Sequence, residues 1–158
     1  MNRTTARNHD VWKLAAATLV LTSCAETPNE SVAADEEAIQ AVADAWTAAY
    51  SAGDFDALME LYSDDAVDIP PGQKSEGKAA IRERQVRGLE GYRASSALSF
   101  DEVIVSGDWA FARGVYEATY TDLVDGTEAE ARNDNLWVLR KDSGGAWRIA
   151  RMMYNPAE

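Results

Sequence analysis

From Asp35 onward the apolar positions Ile39, Val42, Trp46, Ala49 and Tyr50 recur at helical spacing, and Asp35, Glu36 and Glu37 suit the positive end of a helix dipole. Gly53 stops this helix. Asp54 is placed to cap a second, shorter helix with an apolar face of Phe55, Leu58, Met59 and Tyr62. The segment Asp65-Ala66-Val67-Asp68-Ile69 predicts a short strand, ended by Pro70-Pro71-Gly72, where a hydrogen-bonded ladder cannot continue. A third helix is predicted from Gly77 to Leu89, with Ile81, Gln85 and Leu89 aligned. The rest reads as strand and turn: Ala94 to Ser106, Trp109 to Asp122, Glu128 to Lys141 and Trp147 to Tyr154. Gly107-Asp108, Asp125-Gly126 and Ser143-Gly144-Gly145 separate these strands with hairpin chemistry. Helices first and an antiparallel meander afterwards predict an α+β domain, its three helices packed on one face of the sheet.

The first 23 residues follow a different grammar. Arg3, Arg7 and Lys13 precede the apolar run Leu14 to Leu21, which is too short to span a bilayer, and this is the pattern of an export signal. Leu21-Thr22-Ser23-Cys24 resembles the lipobox of bacterial lipoproteins, which implies cleavage before Cys24 and lipidation of its thiol. The alternative is a secreted protein cut near Ser23, with Cys24 incidental. Ala25 is not the aspartate that retains such lipoproteins at an inner membrane, so the periplasmic face of the outer membrane is the expected address in a two-membrane envelope. The expected organisation is therefore a signal over 1–23, a lipidated tether over 24–34 and one domain over 35–158.

Cleavage changes what chemistry remains. The only histidine, His9, lies in the signal, and Cys24 is the only cysteine. Histidine bases, Ser-His-Asp and Cys-His catalysis, and zinc sites of the usual ligands are thus excluded, and neither metal nor cofactor is expected. The chain carries a net charge of −12, which becomes −14 without the signal, so nucleic acid is a poor partner.

Several short motifs carry a further resemblance: Trp46, Tyr50, Gly53-Asp54-Phe55-Asp56, Leu61-Tyr62 and Asp65-Ala66-Val67 in the first half. Gly77, Ala80-Ile81, Gly107-Asp108-Trp109-Ala110, Arg113-Gly114, Gly145-Ala146-Trp147-Arg148-Ile149 and Asn155 complete it. In these the chain resembles the SnoaL-like branch of the cone-shaped fold shared by nuclear transport factor 2, ketosteroid isomerase and scytalone dehydratase. The resemblance spans Asp35 to Asn155 and implies a curved, cystatin-like roll with the helices on its concave face. It further implies an apolar pocket in which an aspartate, tyrosine or histidine moves protons. Met152 and Met153 stand where relatives often place an aspartate or histidine, a departure that weighs against catalysis.

A turn centred on Asp125-Gly126 places Glu117 opposite Asp134, with Glu102 opposite Arg113 and Arg151 diagonal to Asp134. The sheet face that holds these residues, with Phe100, Ile104, Phe111, Val115, Leu136, Val138, Trp147, Ile149 and Met153, is the more continuously apolar and is expected to line the pocket. On that reading Glu117 and Asp134 are the candidate catalytic carboxylates, and Trp46, Tyr50, Tyr62, Arg151 and Met153 are candidate pocket residues. The same charges would equally serve as a buried ion cluster, or as surface salt bridges if the faces are reversed. The other face, with Tyr116, Tyr120, Trp137, Met152 and Tyr154, is expected to form a convex homodimer surface.

Three functions fit these expectations. The first is a membrane-anchored domain binding a small apolar or amphipathic molecule. The second is an isomerase, dehydratase or cyclase using Glu117 or Asp134. The third is a dimerising interaction module of the cell envelope.

Overall fold

The computed structural model describes residues 28–157. The export signal and Cys24 lie outside the described residues. Of the predicted tether, residues 28–34 belong instead to the first helix, α1, Pro28–Ala52. Pro28 opens it where a missing N–H breaks no helical bond.

Gly53, at φ 68°, turns the chain out of α1, and its N–H closes on the Tyr50 carbonyl at 3.0 Å. Helix α2, Phe55–Glu60, follows, with the Asp54 carboxylate accepting from the Ala57 N–H at 3.0 Å. Strand β1, Tyr62–Ile69, comes next, then a two-residue strand β2, Ser75–Glu76, and helix α3, Gly77–Gly88. The long strands are β3, Tyr92–Ser106, β4, Trp109–Asp122, β5, Glu128–Lys141, and β6, Trp147–Pro156. Together the strands form one sheet in the order β2-β1-β6-β5-β4-β3. β3 to β6 are an antiparallel meander, as expected, but β1 joins β6 in parallel, which sets the early half of the chain beside the last strand.

The register differs from the expected one by two residues. Glu117 faces Arg132, and Asp134 faces Val115. The connection is longer than a two-residue turn: the Asp122 N–H donates to the Thr127 carbonyl at 2.9 Å, and the Asp122 carboxylate caps Val124 at 2.7 Å.

The faces are also reversed. Helix α1 packs on β3 and α3 on β1, against the side that carries Leu98, Ala110, Ala112, Gly114, Tyr116, Ala118, Asn135, Trp137, Leu139 and Met152, all buried. Ala110, Ala112, Gly114 and Ala118 of β4 are all buried, so small size and not bulk marks the inner face there. Bulges between Phe100 and Glu102 and around Ala150 break the strict alternation. They place Phe100, Trp147 and Ile149 inside with Trp137 and Leu139, whereas Glu102, Ile104, Arg151 and Met153 face outward. Ile39 and Trp46 of α1, Leu58 of α2 and Ile81 of α3 close the core from the helical side, and Tyr62, expected on the second helix, joins them from the start of β1.

Candidate ligand-binding site

Between α1, α3 and the inner face of the sheet lies a half-enclosed cavity of about 180 Å³. Each element supplies its wall by its own periodicity. On α1, Trp46 and Tyr50 are one turn apart, with ring centroids 5.1 Å apart and nearly parallel. On α3, Arg84, Gln85 and Gly88 follow Ile81 around the buried stripe. On the strands the side chains alternate: Tyr116 and Tyr120 from β4, Asn133, Asn135 and Trp137 from β5, Met152 and Tyr154 from β6. Trp46 meets Tyr116 and Trp137 edge-on at 5.9 and 6.0 Å, so the apolar part of the wall is almost wholly aromatic.

The polar part combines the Arg84 guanidinium with the amides of Gln85, Asn133 and Asn135 and the tyrosine hydroxyls. Arg84 donates to the Tyr154 hydroxyl at 3.2 Å and to the carboxylate of Asp68. Asp68 is fully buried and stands outside the cavity wall, so the cavity meets the cation of this pair and not the anion. Burial pushes the Asp68 carboxyl above the usual carboxylate range, against the pull of Arg84. The Tyr116 and Tyr120 hydroxyls lie 3.2 Å apart. Burial, reinforced by Tyr120, raises the pKa values of Tyr50 and Tyr116, and burial also raises that of Tyr154, so these phenols stay neutral. Among the described residues, three buried polar side-chain atoms lack hydrogen-bond partners: Asp68 Oδ1, Arg84 Nε and Trp137 Nε1. All three belong to the cavity or to the ion pair beside it.

Of the candidate pocket residues, Trp46 and Tyr50 line the cavity. Tyr62 lies deeper, 1% exposed, where its hydroxyl accepts from the Trp46 indole at 2.8 Å and contacts Met152 Sδ at 3.8 Å. Glu117 and Asp134 are not a carboxylate pair and do not reach the cavity. Both are exposed on the outer face, where Glu117 pairs with Arg132. Arg151 is on the same outer side, donating to the Asp65 carbonyl at 3.1 Å, and Met153 is 40% exposed. The aromatic face expected to form a dimer surface is the cavity wall itself, since the helices cover it. The expected Glu102–Arg113 cross-strand pair forms, at 3.5 Å, but on the outer face.

The residues missed by sequence reasoning are Asp68 and Arg84. Alternation from buried Ala66 turns Asp68 inward, and Arg84 sits three residues after Ile81 on the same helical stripe, so both were signalled by period.

Comparisons with known proteins agree with this architecture. No curated protein matches the sequence. Among solved structures, a ketosteroid isomerase-like protein from Erwinia carotovora atroseptica is 31% identical, with 77% of this chain and 95% of that chain covered and a TM-score of 0.69. A conserved protein from Planctomyces limnophilus shares the fold at 24% identity, covering 79% of this chain and 99% of its own, with a TM-score of 0.72. An NTF2-like protein with a cystatin-like fold from Novosphingobium aromaticivorans is 25% identical over 85% of this chain and 92% of its own, with a TM-score of 0.68. The family model described as SnoaL-like domain matches residues 43–152, which include every residue of the cavity wall except Tyr154. The chain thus belongs to the SnoaL-like domain family.

Proposed function

We propose that this protein is a membrane-anchored domain of the cell envelope that binds a small amphipathic molecule in its cavity. Membership of the SnoaL-like family supports a small-molecule-binding or isomerase-type domain. The observation that carries the binding reading is the cavity of about 180 Å³ between the helices and the sheet, aromatic on its apolar side and with the Arg84 guanidinium in its wall. The anchoring reading rests on the signal-like segment and the lipobox-like Leu21-Thr22-Ser23-Cys24.

Two measurements test it. Thermal shift of the purified protein against small ring compounds is expected to raise Tm for some of them, and a flat response across the set overturns the binding reading. Membrane fractionation of the full-length protein and Cys24→Ser is expected to find the first in the membrane fraction and the second released. Equal partition of both overturns the anchor.

An isomerase, dehydratase or cyclase activity is the second reading, favoured by the buried acid Asp68, which reaches the cavity only through Arg84. Turnover of a bound compound that Asp68→Asn abolishes without loss of binding would decide for it.

A further inference from the structure

Among the described residues Arg84 is the only charged side chain in the cavity wall. Its surroundings fix its position: Asp68 holds one terminal nitrogen from the buried side, Tyr154 accepts from the other, and the side chain is 14% exposed. Arg84, Gly88 and Tyr154 also line a separate outward depression, together with Pro70, Gln73 and Arg87. These three residues are therefore the partition between cavity and solvent. Both arginines of the depression are ion-paired, Arg84 with the buried Asp68 and Arg87 with Glu83 on the outer side, so Arg84 meets the cavity with its carboxylate partner behind it.

The contents of the wall restrict an occupant in three ways. About 180 Å³ is little more than the roughly 150 Å³ of a dry protein cavity that holds benzene, so one ring with small substituents matches the enclosed part. The flat walls of Trp46, Tyr116 and Trp137 favour a planar ring over a saturated one. Among the described residues that line the cavity Arg84 brings a positive charge and no carboxylate stands with it, so an anionic group on the occupant is favoured over a cationic one.

We infer that the cavity takes a monocyclic aromatic acid, its ring among Trp46, Tyr116 and Trp137 and its carboxylate on Arg84. This rests on the binding reading above and names the ligand class of the same site. Asp68 and Tyr154 are positioning residues that aim the guanidinium.

The test titrates full-length protein with benzoate, 4-hydroxybenzoate, benzamide and 2-naphthoate, following tryptophan fluorescence, because Trp46 and Trp137 stand in the wall. Benzoate and 4-hydroxybenzoate are expected to bind at least about tenfold more tightly than the neutral isostere benzamide, the worth of one charge-assisted hydrogen bond, and 2-naphthoate to bind more weakly than benzoate. Arg84→Met is expected to remove the preference for the acid. Should that variant not fold, the wild-type comparison of benzoate with benzamide decides alone. Equal affinities for those two probes overturn the acid assignment while leaving the binding reading intact. Equal or tighter binding of 2-naphthoate overturns the single-ring assignment. Absence of binding by all four overturns the inference, and the binding reading falls separately only if the broader thermal-shift set is also flat.

Discussion

The indole nitrogen of Trp46 donates to the hydroxyl of Tyr62 at 2.8 Å, a buried hydrogen bond that joins α1 to β1. Trp46 is in the cavity wall and Tyr62 in the core, so the bond also fixes the orientation of a wall residue. Tyr62→Phe preserves the ring and leaves the Trp46 donor unsatisfied. A loss of roughly 1–3 kcal/mol in chemical denaturation is expected, together with weaker ligand binding. An unchanged denaturation midpoint would show that the bond contributes nothing.

Gly114 and Gly53 test two different uses of glycine. A Cβ on Gly114 would lie 1.9 Å from the Ser99 carbonyl oxygen and 2.7 Å from Phe100 Cα, both backbone atoms beside the β3 bulge. Gly114→Ala is therefore expected to cost roughly 3 kcal/mol or more, since the strands cannot part without breaking their ladder. Gly53→Ala meets nothing within 4 Å and pays only for its positive φ, about 1–2 kcal/mol. Urea titration of the two variants should rank them in that order.

The outer face is expected to be silent in binding. Glu117→Gln removes one exposed ion pair with Arg132, and Asp134→Asn changes an exposed side chain, so each should alter stability by less than about 1 kcal/mol. Ligand affinity measured by titration should match wild type in both. A loss of affinity in either variant would mean that the outer face belongs to the site.

Asp35 ties the first helix to the far end of the sheet. Its carboxylate accepts from Trp147 Nε1 at 2.9 Å and pairs with Lys141 Nζ at 2.8 Å. Burial acts to raise its pKa, but the Lys141 and Trp147 bonds outweigh it and leave the value below 3.8. A depressed folded value stabilises the folded state above the ordinary value, and the contribution is lost as pH falls through the folded one. Asp35→Asn should therefore lower stability near neutral pH, by about 1 kcal/mol, and show a shallower loss than wild type below pH 4, read from melting temperatures across acid buffers.

The sequence by itself determined the elements and their order. Helical spacing from Ile39 to Tyr50, the Gly53-Asp54 stop and cap, Pro70-Pro71, and the glycine-bearing turns between strands are local signals, and local backbone preference decides them. It also determined that β4 and β5 share faces, because sliding the register by two residues, from Asp134 to Arg132 opposite Glu117, keeps every side chain on its side.

Only the tertiary structure decided which face is inside. Phe111, Val115, Leu136 and Val138 on one side look as apolar as Tyr116, Trp137 and Met152 on the other, and strand alternation is symmetric to that choice. The helices break the symmetry by packing α1 on β3 and α3 on β1, on the side that carries Ala110, Ala112, Gly114 and Ala118, and two bulges move Phe100, Trp147 and Ile149 across. Asp68 and Arg84 were legible one at a time as inward positions, but their pairing joins a strand to a helix 16 residues later, and the parallel return of β1 onto β6 brings Tyr154 to them. That meeting is a long-range contact, and no local pattern encodes it.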